Sequence, residues 1–426
     1  MDSTSFYAHI LGLTPPWRVS NVDLDTSLGE VRIQVIHGPE TSLPCPNCGS
    51  ACSIHDHAPT RTWRHLDTCQ LKTLLVCSIP RVSCPEHGVQ QVSVPWAEAK
   101  SRFTLLFEAL AIDLMLCCPR RRAAEILGTS EDCLEGIARR AVHRGLERKA
   151  LSRMDDAPPN MPHLSIDEKY WHRRQCATVV GDAKRGVVEE MVEGNTTASA
   201  KAALKGLGTA ILSRVASVSM DLHGPFEKAA KDVLDETRIV FDPFHVVKLA
   251  NEAMEQVRRE EIAIHQGMDD PKGATFLKKA RYSLLTAASR QKERAQQKVA
   301  YIGEWFANTA EAYRLKETLR LYRQCASEQE ARDHLQLWIA MAKTSRLAPM
   351  RTLANTVEGH LEGIVRVFRL GVTNAAAESL NARIQAVRVK CRGHRHFQAF
   401  RNSVLFHLGG LDLYPSSPHS AVPVSG

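Results

Sequence analysis

Two five-residue patterns constrain this chain most: Cys45-Pro-Asn-Cys48-Gly49 and Cys84-Pro-Glu-His87-Gly88, which share one form except for His in the last ligand position of the second. Two ligands three positions apart can grip one ion, and glycine lets the turn's backbone approach the sulfur. Two such knuckles separated by strand-like sequence supply the four N/S ligands of a closed tetrahedral site. The N-terminal region is therefore expected to fold around one structural Zn²⁺ held by Cys45, Cys48, Cys84 and His87. Cys52, His55 and His57 are alternative ligands, whereas Cys69 and Cys77 are expected inside strands. Twelve cysteines in 426 residues are too few for a disulfide scaffold.

The rest of the composition is that of an ordinary globular protein, with 44% apolar and 24% charged residues, which excludes collagen-like or wholly disordered chains. No apolar run approaches the ~20 residues of a membrane span; the best, 103–118, is broken by Glu108 and Asp113. The first residues lack the pattern of a signal peptide, so a cytoplasmic protein without membrane partners is expected. A net charge of +8 suggests an anionic partner.

Periodicity and breaks divide the chain into a zinc-binding β module (1–98), a helix-turn-helix domain (99–154) and a Pro-rich linker (155–162). An α/β region (163–243), an all-helical stretch (244–370), a returning helix with a basic segment (371–413) and a Ser/Pro-rich tail expected to be disordered (414–426) follow. In the second domain Ala124 is small where helices cross, Gly128 makes the turn, and Ser130 can cap the next helix. Leu127, Leu134 and Ile137 are expected to bury the pair. Arg120, Arg121, Arg122, Arg139, Arg140 and Arg144 form a basic face suited to phosphates or base edges, although a plain helical hairpin with a solvated charged face would show the same pattern.

In the α/β region, three strands, a helix, a strand, a helix, a strand and a helix follow one another, the order of the RNase H-like fold. Asp167 is expected to close the first strand and Asp221 the fourth, side by side. Further on, Leu380, Ile384 and Val387 mark the apolar stripe of a helix whose polar face carries Asn374, Glu378, Asn381 and Gln385. Glu378 can thus point at the two aspartates. Crowded carboxylates repel unless cations sit between them, and hard oxygen ligands suit Mg²⁺. With 47 acidic residues, chance triplets abound; Glu168, Asp182 and Asp242 compete. From Arg366 to Asn402 eight Lys/Arg stand against one acid, and Arg383, Arg388, Lys390, Arg392 and Arg395 read as phosphate contacts. Trp305 and Trp338 are expected in the core of the helical stretch, with oligomer contacts as the alternative.

These motifs together resemble DDE transposases of the ISL3 insertion-sequence family over roughly residues 5–410. The carrying segments are Cys45-Pro-Asn-Cys48, Ser165-Ile-Asp167-Glu-Lys, Ser219-Met-Asp221-Leu-His-Gly-Pro-Phe226, Ile239-Val-Phe-Asp242-Pro-Phe-His245-Val-Val-Lys-Leu and Asn374 through Asn381. The resemblance implies a multidomain α+β protein: zinc module, helix-turn-helix, and an RNase H-like catalytic core interrupted by an all-helical insertion. It implies a transposase that binds the terminal inverted repeats of its element and cuts and joins DNA. Asp167, Asp221 and Glu378 would hold two Mg²⁺, or Mn²⁺, and the protein would act on nucleoid DNA as a homodimer or larger oligomer. Asp242 and His245, with Asn381, would be accessory to the active site, although Asp242 as N-cap and Pro243 at N1 could start a helix without chemistry. A catalytically silent DNA-binding regulator and an RNase H-like nuclease are the alternatives.

Overall fold

The computed structural model describes residues 2–38, 42–154, 159–370, 375–391 and 393–416, and for residues 375–378 the backbone alone. Asn374, Arg392, part of the expected linker and most of the expected tail lie outside the described residues. Two compact units form, one reaching to Ala150 and including the segment from Leu411, the other running from Leu151 to Gly410. No helix among the described residues is long and apolar enough to cross a membrane.

The first unit begins with α1 (Ser3–Ile10), then β1 (Trp17–Asp25), β2 (Glu30–His37), β3 (Leu43–Pro44), β4 (Ala51–Cys52), β5 (Ile54–His57), β6 (Arg61–Arg64), β7 (Lys72–Cys77), β8 (Pro80–Cys84) and β9 (Gly88–Gln91). They make three small sheets, ordered β1-β2-β7-β6, β3-β4 and β5-β8-β9. Alternation drives the pairing: Val31, Ile33 and Val35 of β2 are buried against Leu75 and Trp63. Cys77 is in a strand, as expected, but Cys69 is not. It is exposed, with a left-handed φ of 50°, in the turn where the chain reverses into β7.

Three helices complete this unit: α2 (Leu105–Cys117), α3 (Arg120–Leu127) and α4 (Glu131–Met154). Thr104 caps α2 by accepting from the Phe107 N–H, and Ser130 accepts from the Cys133 N–H at 3.2 Å. Gly128 ends α3 with a φ of 58°, a conformation that a Cβ would strain. Ala123, Ala124, Leu127, Leu134 and Ile137 are buried. Residues 414–416, expected to be disordered, instead make contacts: Tyr414 donates its hydroxyl to Asp113 Oδ1 at 2.6 Å, and Ser416 accepts from Arg148 at 3.0 Å. Leu413 anchors them by burial.

The second unit is built on β10 (His163–His172), β11 (Gln175–Asp182), β12 (Val187–Glu193), β13 (Ser217–Met220) and β14 (Ile239–Phe241). The sheet order is β12-β11-β10-β13-β14: an antiparallel meander of three, then two strands parallel to β10. Crossovers use α5 (Thr197–Lys205), α6 (Thr209–Leu212) and α7 (Gly224–Val233). The single helix expected between the third and fourth strands is two, because Gly206 and Gly208, the latter at φ 86°, split it. Asp167 does not close its strand. β10 continues five residues further because its hairpin with β11 pairs out to His172↔Gln175.

After β14 come seven helices, α8 (Pro243–Gly267), α9 (Pro271–Leu285), α10 (Glu293–Trp305), α11 (Ala307–Arg320), α12 (Glu328–Thr344), α13 (Ala348–Gly359) and α14 (Leu361–Leu370). Val246, Ala250, Met254 and Val257 bury one stripe of α8. Trp338 is fully buried and donates Nε1–H to the Leu315 carbonyl at 2.8 Å. Trp305, expected in the core, is 65% exposed because it ends α10 on the outer face. Finally α15 (Ala375–Lys390) and α16 (Phe397–Leu408) return to the sheet. Leu380, Ile384 and Val387 are buried, and Leu380 lies so close to Gly181 that a Cβ there would stand 2.6 Å from Leu380 Cδ2. Only glycine at that position of β11 lets α15 settle.

Candidate active site and zinc centre

The zinc centre follows from two tight turns. The Gly49 N–H reaches back to the Cys45 carbonyl at 2.9 Å, and β8 and β9 pair with Cys84 opposite Gly88. Both glycines have positive φ, 76° and 67°. Ligand atoms of Cys45, Cys48, Cys84 and His87 all lie within 4.8 Å of one another. Cys48 Sγ is 3.6 Å from Cys84 Sγ, Cys84 Sγ is 3.5 Å from His87 Nδ1, and Cys45 Sγ is 3.9 Å from the same nitrogen. A tetrahedron of Zn–S bonds of about 2.3 Å has edges of about 3.8 Å, so this donor set fits zinc. Hydrogen bonding by Ser50 draws the Cys48 thiol down to about 6, toward the thiolate a metal needs, while burial pushes Cys45 up. Cys52 is buried in β4 with its thiol on the Ser50 carbonyl, and His57 stacks on His37. Neither joins the cluster, and nor does His55.

The helix-turn-helix arginines are arranged differently from the expected basic face. Arg144 is buried, donating to Glu98 at 2.9 Å and to the Leu413 carbonyl at 2.8 Å. With Arg140 it embraces Glu108, a fully buried carboxylate of α2 that also accepts from Ser101 Oγ at 2.8 Å. These two arginines therefore neutralise an internal acid instead of facing a partner. Arg120 pairs with Glu135 at 2.9 Å, and Arg121 and Arg122 pair with Glu125 at 3.3 and 3.1 Å. Arg139 is exposed.

In the second unit, the parallel register Ser165↔Ser219 sets Asp167, two residues on, level with Asp221 just beyond β13. Burial raises the Asp221 carboxyl, the Asp167 charge adds to the rise, and His245 and His223 oppose it. Asp221 Oδ1 is buried and has no hydrogen-bond donor among the described residues. Asp167 Oδ2 accepts from Asn381 Nδ2 at 2.5 Å and meets Lys169 Nζ at 2.8 Å. The Glu378 side chain lies outside the described residues, but its place in α15 is one turn before Asn381. Asp242 Oδ1 accepts from the Phe244 N–H at 2.8 Å, capping α8, and its Oδ2 lies 3.5 Å from His245 Nε2. Of the competing acids, Glu168 accepts from Asn195 at 2.6 Å, and Asp182 holds the β11–β12 turn through the Lys184 and Arg185 N–H groups.

Comparison with known proteins decides the family. A family model described as Transposase, for the ISL3 type of DDE enzymes, matches residues 164–404, more than half of the chain. The chain belongs to the ISL3 family of DDE transposases. Within this transposase, residues 42–87 match the zinc-finger of transposase IS204/IS1001/IS1096/IS1165, and residues 92–142 match the helix-turn-helix domain of transposase family ISL3. It is 27% identical over 387 residues to the transposase for insertion sequence element IS1557 of Mycobacterium tuberculosis, covering 86% of each chain. It is 22% identical over 364 residues to the transposase for IS1001 of Bordetella parapertussis, covering 84% of this chain and 86% of the other. The zinc ribbon that the family match implies coincides with the four-ligand cluster.

Sequence reasoning missed Lys169 and His223. Lys169 was open to prediction, because strand alternation puts residue i+2 on the face of Asp167. The expected phosphate contacts divide: Arg383 is tied to the Gly186 carbonyl at 2.9 Å, Arg388 is half-buried, Lys390 is half-buried and Arg395 is exposed. Arg366 is buried on the Glu236 and Ile239 carbonyls and Arg401 pairs with Glu190 at 2.8 Å, so neither adds to that basic surface.

Proposed function

We propose that this transposase binds the terminal inverted repeats of its element through the zinc ribbon and helix-turn-helix, and cuts and joins DNA at an RNase H-like core. Asp167, Asp221 and Glu378 would hold two Mg²⁺ or Mn²⁺ ions there. The observation that carries this reading is the β10–β13 register, which brings two carboxylates from strands 54 residues apart in the chain to one place on the sheet. The sheet order supports an RNase H-like core, and the position of α8–α14 between β14 and α15 supports reading them as an insertion.

The donor set fits hard divalent cations, since Asp221 presents a buried oxygen without a donor beside a second carboxylate. Bound there, such ions would activate the attacking oxygen and stabilise the leaving one in an in-line phosphodiester displacement. The chain's own groups prepare the site. The Asn381 amide fixes the Asp167 carboxylate, and the Lys169 ammonium supplies positive charge at the same oxygen. Asp242, by capping α8, holds His245 where its charge reaches Asp221. Arg388 and Lys390 in the last turn of α15, and Arg395 beyond it, would contact DNA phosphates, and a homodimer or larger assembly would bring paired ends together.

Labelled element ends, a target plasmid and Mg²⁺ test the reading. The wild type joins ends to target; Asp221→Asn loses joining by about 10³-fold, the scale of several kcal/mol of charge stabilisation, while terminal-repeat binding persists. Joining that survives the substitution overturns the assignment. Binding without cleavage by the wild type marks a silent regulator, and hydrolysis without joining marks a nuclease.

A further inference from the structure

Between Pro271 and Trp305 the chain carries eight Lys or Arg against two acids, Glu293 and Glu304, a local excess of six where the whole protein has +8. These residues form α9, α10 and the loop between them. Phe276, in the first turns of α9, meets Tyr301, near the end of α10, with ring centroids 4.7 Å apart, so the two helices run antiparallel as a hairpin. Among the eight cations only Arg281 has an acid within ion-pair reach among the described residues, Glu255 at 3.2 Å. Lys278, Lys279 and Arg294 are exposed and Lys298 is half-buried. The helix-turn-helix offers the reverse: five of the six arginines expected to face DNA are paired with acids. The same hairpin exposes Tyr282 by 75%, Trp305 by 65% and Tyr301 by 45%, and the Arg281 guanidinium lies 5.5 Å from the Tyr282 ring centre.

Unpaired cations on a rigid helical hairpin gain little from each other and much from a polyanion, because each phosphate they neutralise releases a condensed counterion. Five of the eight are lysines, compact point charges that hold phosphates without reading bases. The exposed rings beside them offer apolar contact to sugars and base faces. We propose that the α9–α10 hairpin is a second DNA-binding surface, which grips the backbone of duplex DNA without sequence preference. It goes beyond the catalytic reading and requires only that the chain bind DNA.

The test uses the full chain and a fluorescent duplex of mixed sequence, with binding followed by anisotropy as salt is raised. Replacing Lys278, Lys279, Arg294 and Lys298 together by Gln is expected to lower the slope of log K against log salt by about 2–4, near one per lost phosphate contact. Arginine at the three lysine positions, with Arg294 retained, is expected to keep the wild-type slope. An unchanged slope in the Gln variant overturns the proposal, as does an unchanged slope with an altered oligomeric state, which would make the hairpin a protein interface. A wild type that binds no duplex at any salt overturns the DNA-binding part of the functional reading as well, so the two failures are told apart.

Discussion

His65 shows how a single buried group ties the first unit to pH. Its ring is 4% exposed, with Nδ1 2.9 Å from Thr104 Oγ1, the oxygen that caps α2. Burial holds its pKa down to about 4, against 6.5 for a free imidazole. Between these values the unfolded chain binds a proton that the folded chain refuses. The contribution is complete above pH 6.5 and declines as pH falls toward 4, by about 3 kcal/mol in all. Thermal unfolding of the N-terminal unit, compared between wild type and His65→Gln across that range, should show the wild type losing more stability on acidification. Comparing the two proteins removes the pH dependence of the zinc ligands, which both share.

Among the elements, α2 and α4 are joined by charge, since Arg140 and Arg144 of α4 both meet the buried Glu108 of α2. Removing one partner of a buried pair leaves the other uncompensated and costs about 3–5 kcal/mol, whereas an exposed pair contributes about 0–1 kcal/mol. Glu108→Ala should therefore lower the denaturation midpoint of the first unit severely, while Arg122→Ala, which leaves the exposed Glu125 still paired with Arg121, should hardly move it. Equal effects in chemical denaturation would refute this ranking. The same interface shows where sequence reading stops. Ala124, Gly128, Leu127 and Ile137 were legible because their roles are set within one turn of helix. The inward aim of Arg140 and Arg144 was not, because it depends on an acid in α2 that nothing local announces. The zinc knuckles were legible for the first reason: each pair of ligands and its glycine sit in one turn. The juxtaposition of Asp167 and Asp221 was inferred from the order of strands, but the length of β10 was misjudged because the hairpin beyond Asp167 is polar. Trp305 was misplaced because an aromatic at helical spacing looks alike on an inner or an outer face.

For the whole molecule, the net charge is unevenly engaged. Five arginines of the helix-turn-helix and Arg366 and Arg401 are turned toward acids or carbonyls, while the α9–α10 hairpin and Arg395 beyond α15 keep cations exposed. That distribution places exposed positive charge in the unit that also carries the paired aspartates, which suits the proposed grip on a DNA backbone. Everything catalytic in this account depends on those aspartates binding divalent ions. The most direct measurement is Mn²⁺ titration followed by electron paramagnetic resonance on the zinc-loaded full chain, and on Asp167→Asn and Asp221→Asn. The wild type is expected to bind Mn²⁺, and each variant to lose it while keeping its zinc. Mn²⁺ binding equal to the wild type in both variants would contradict it.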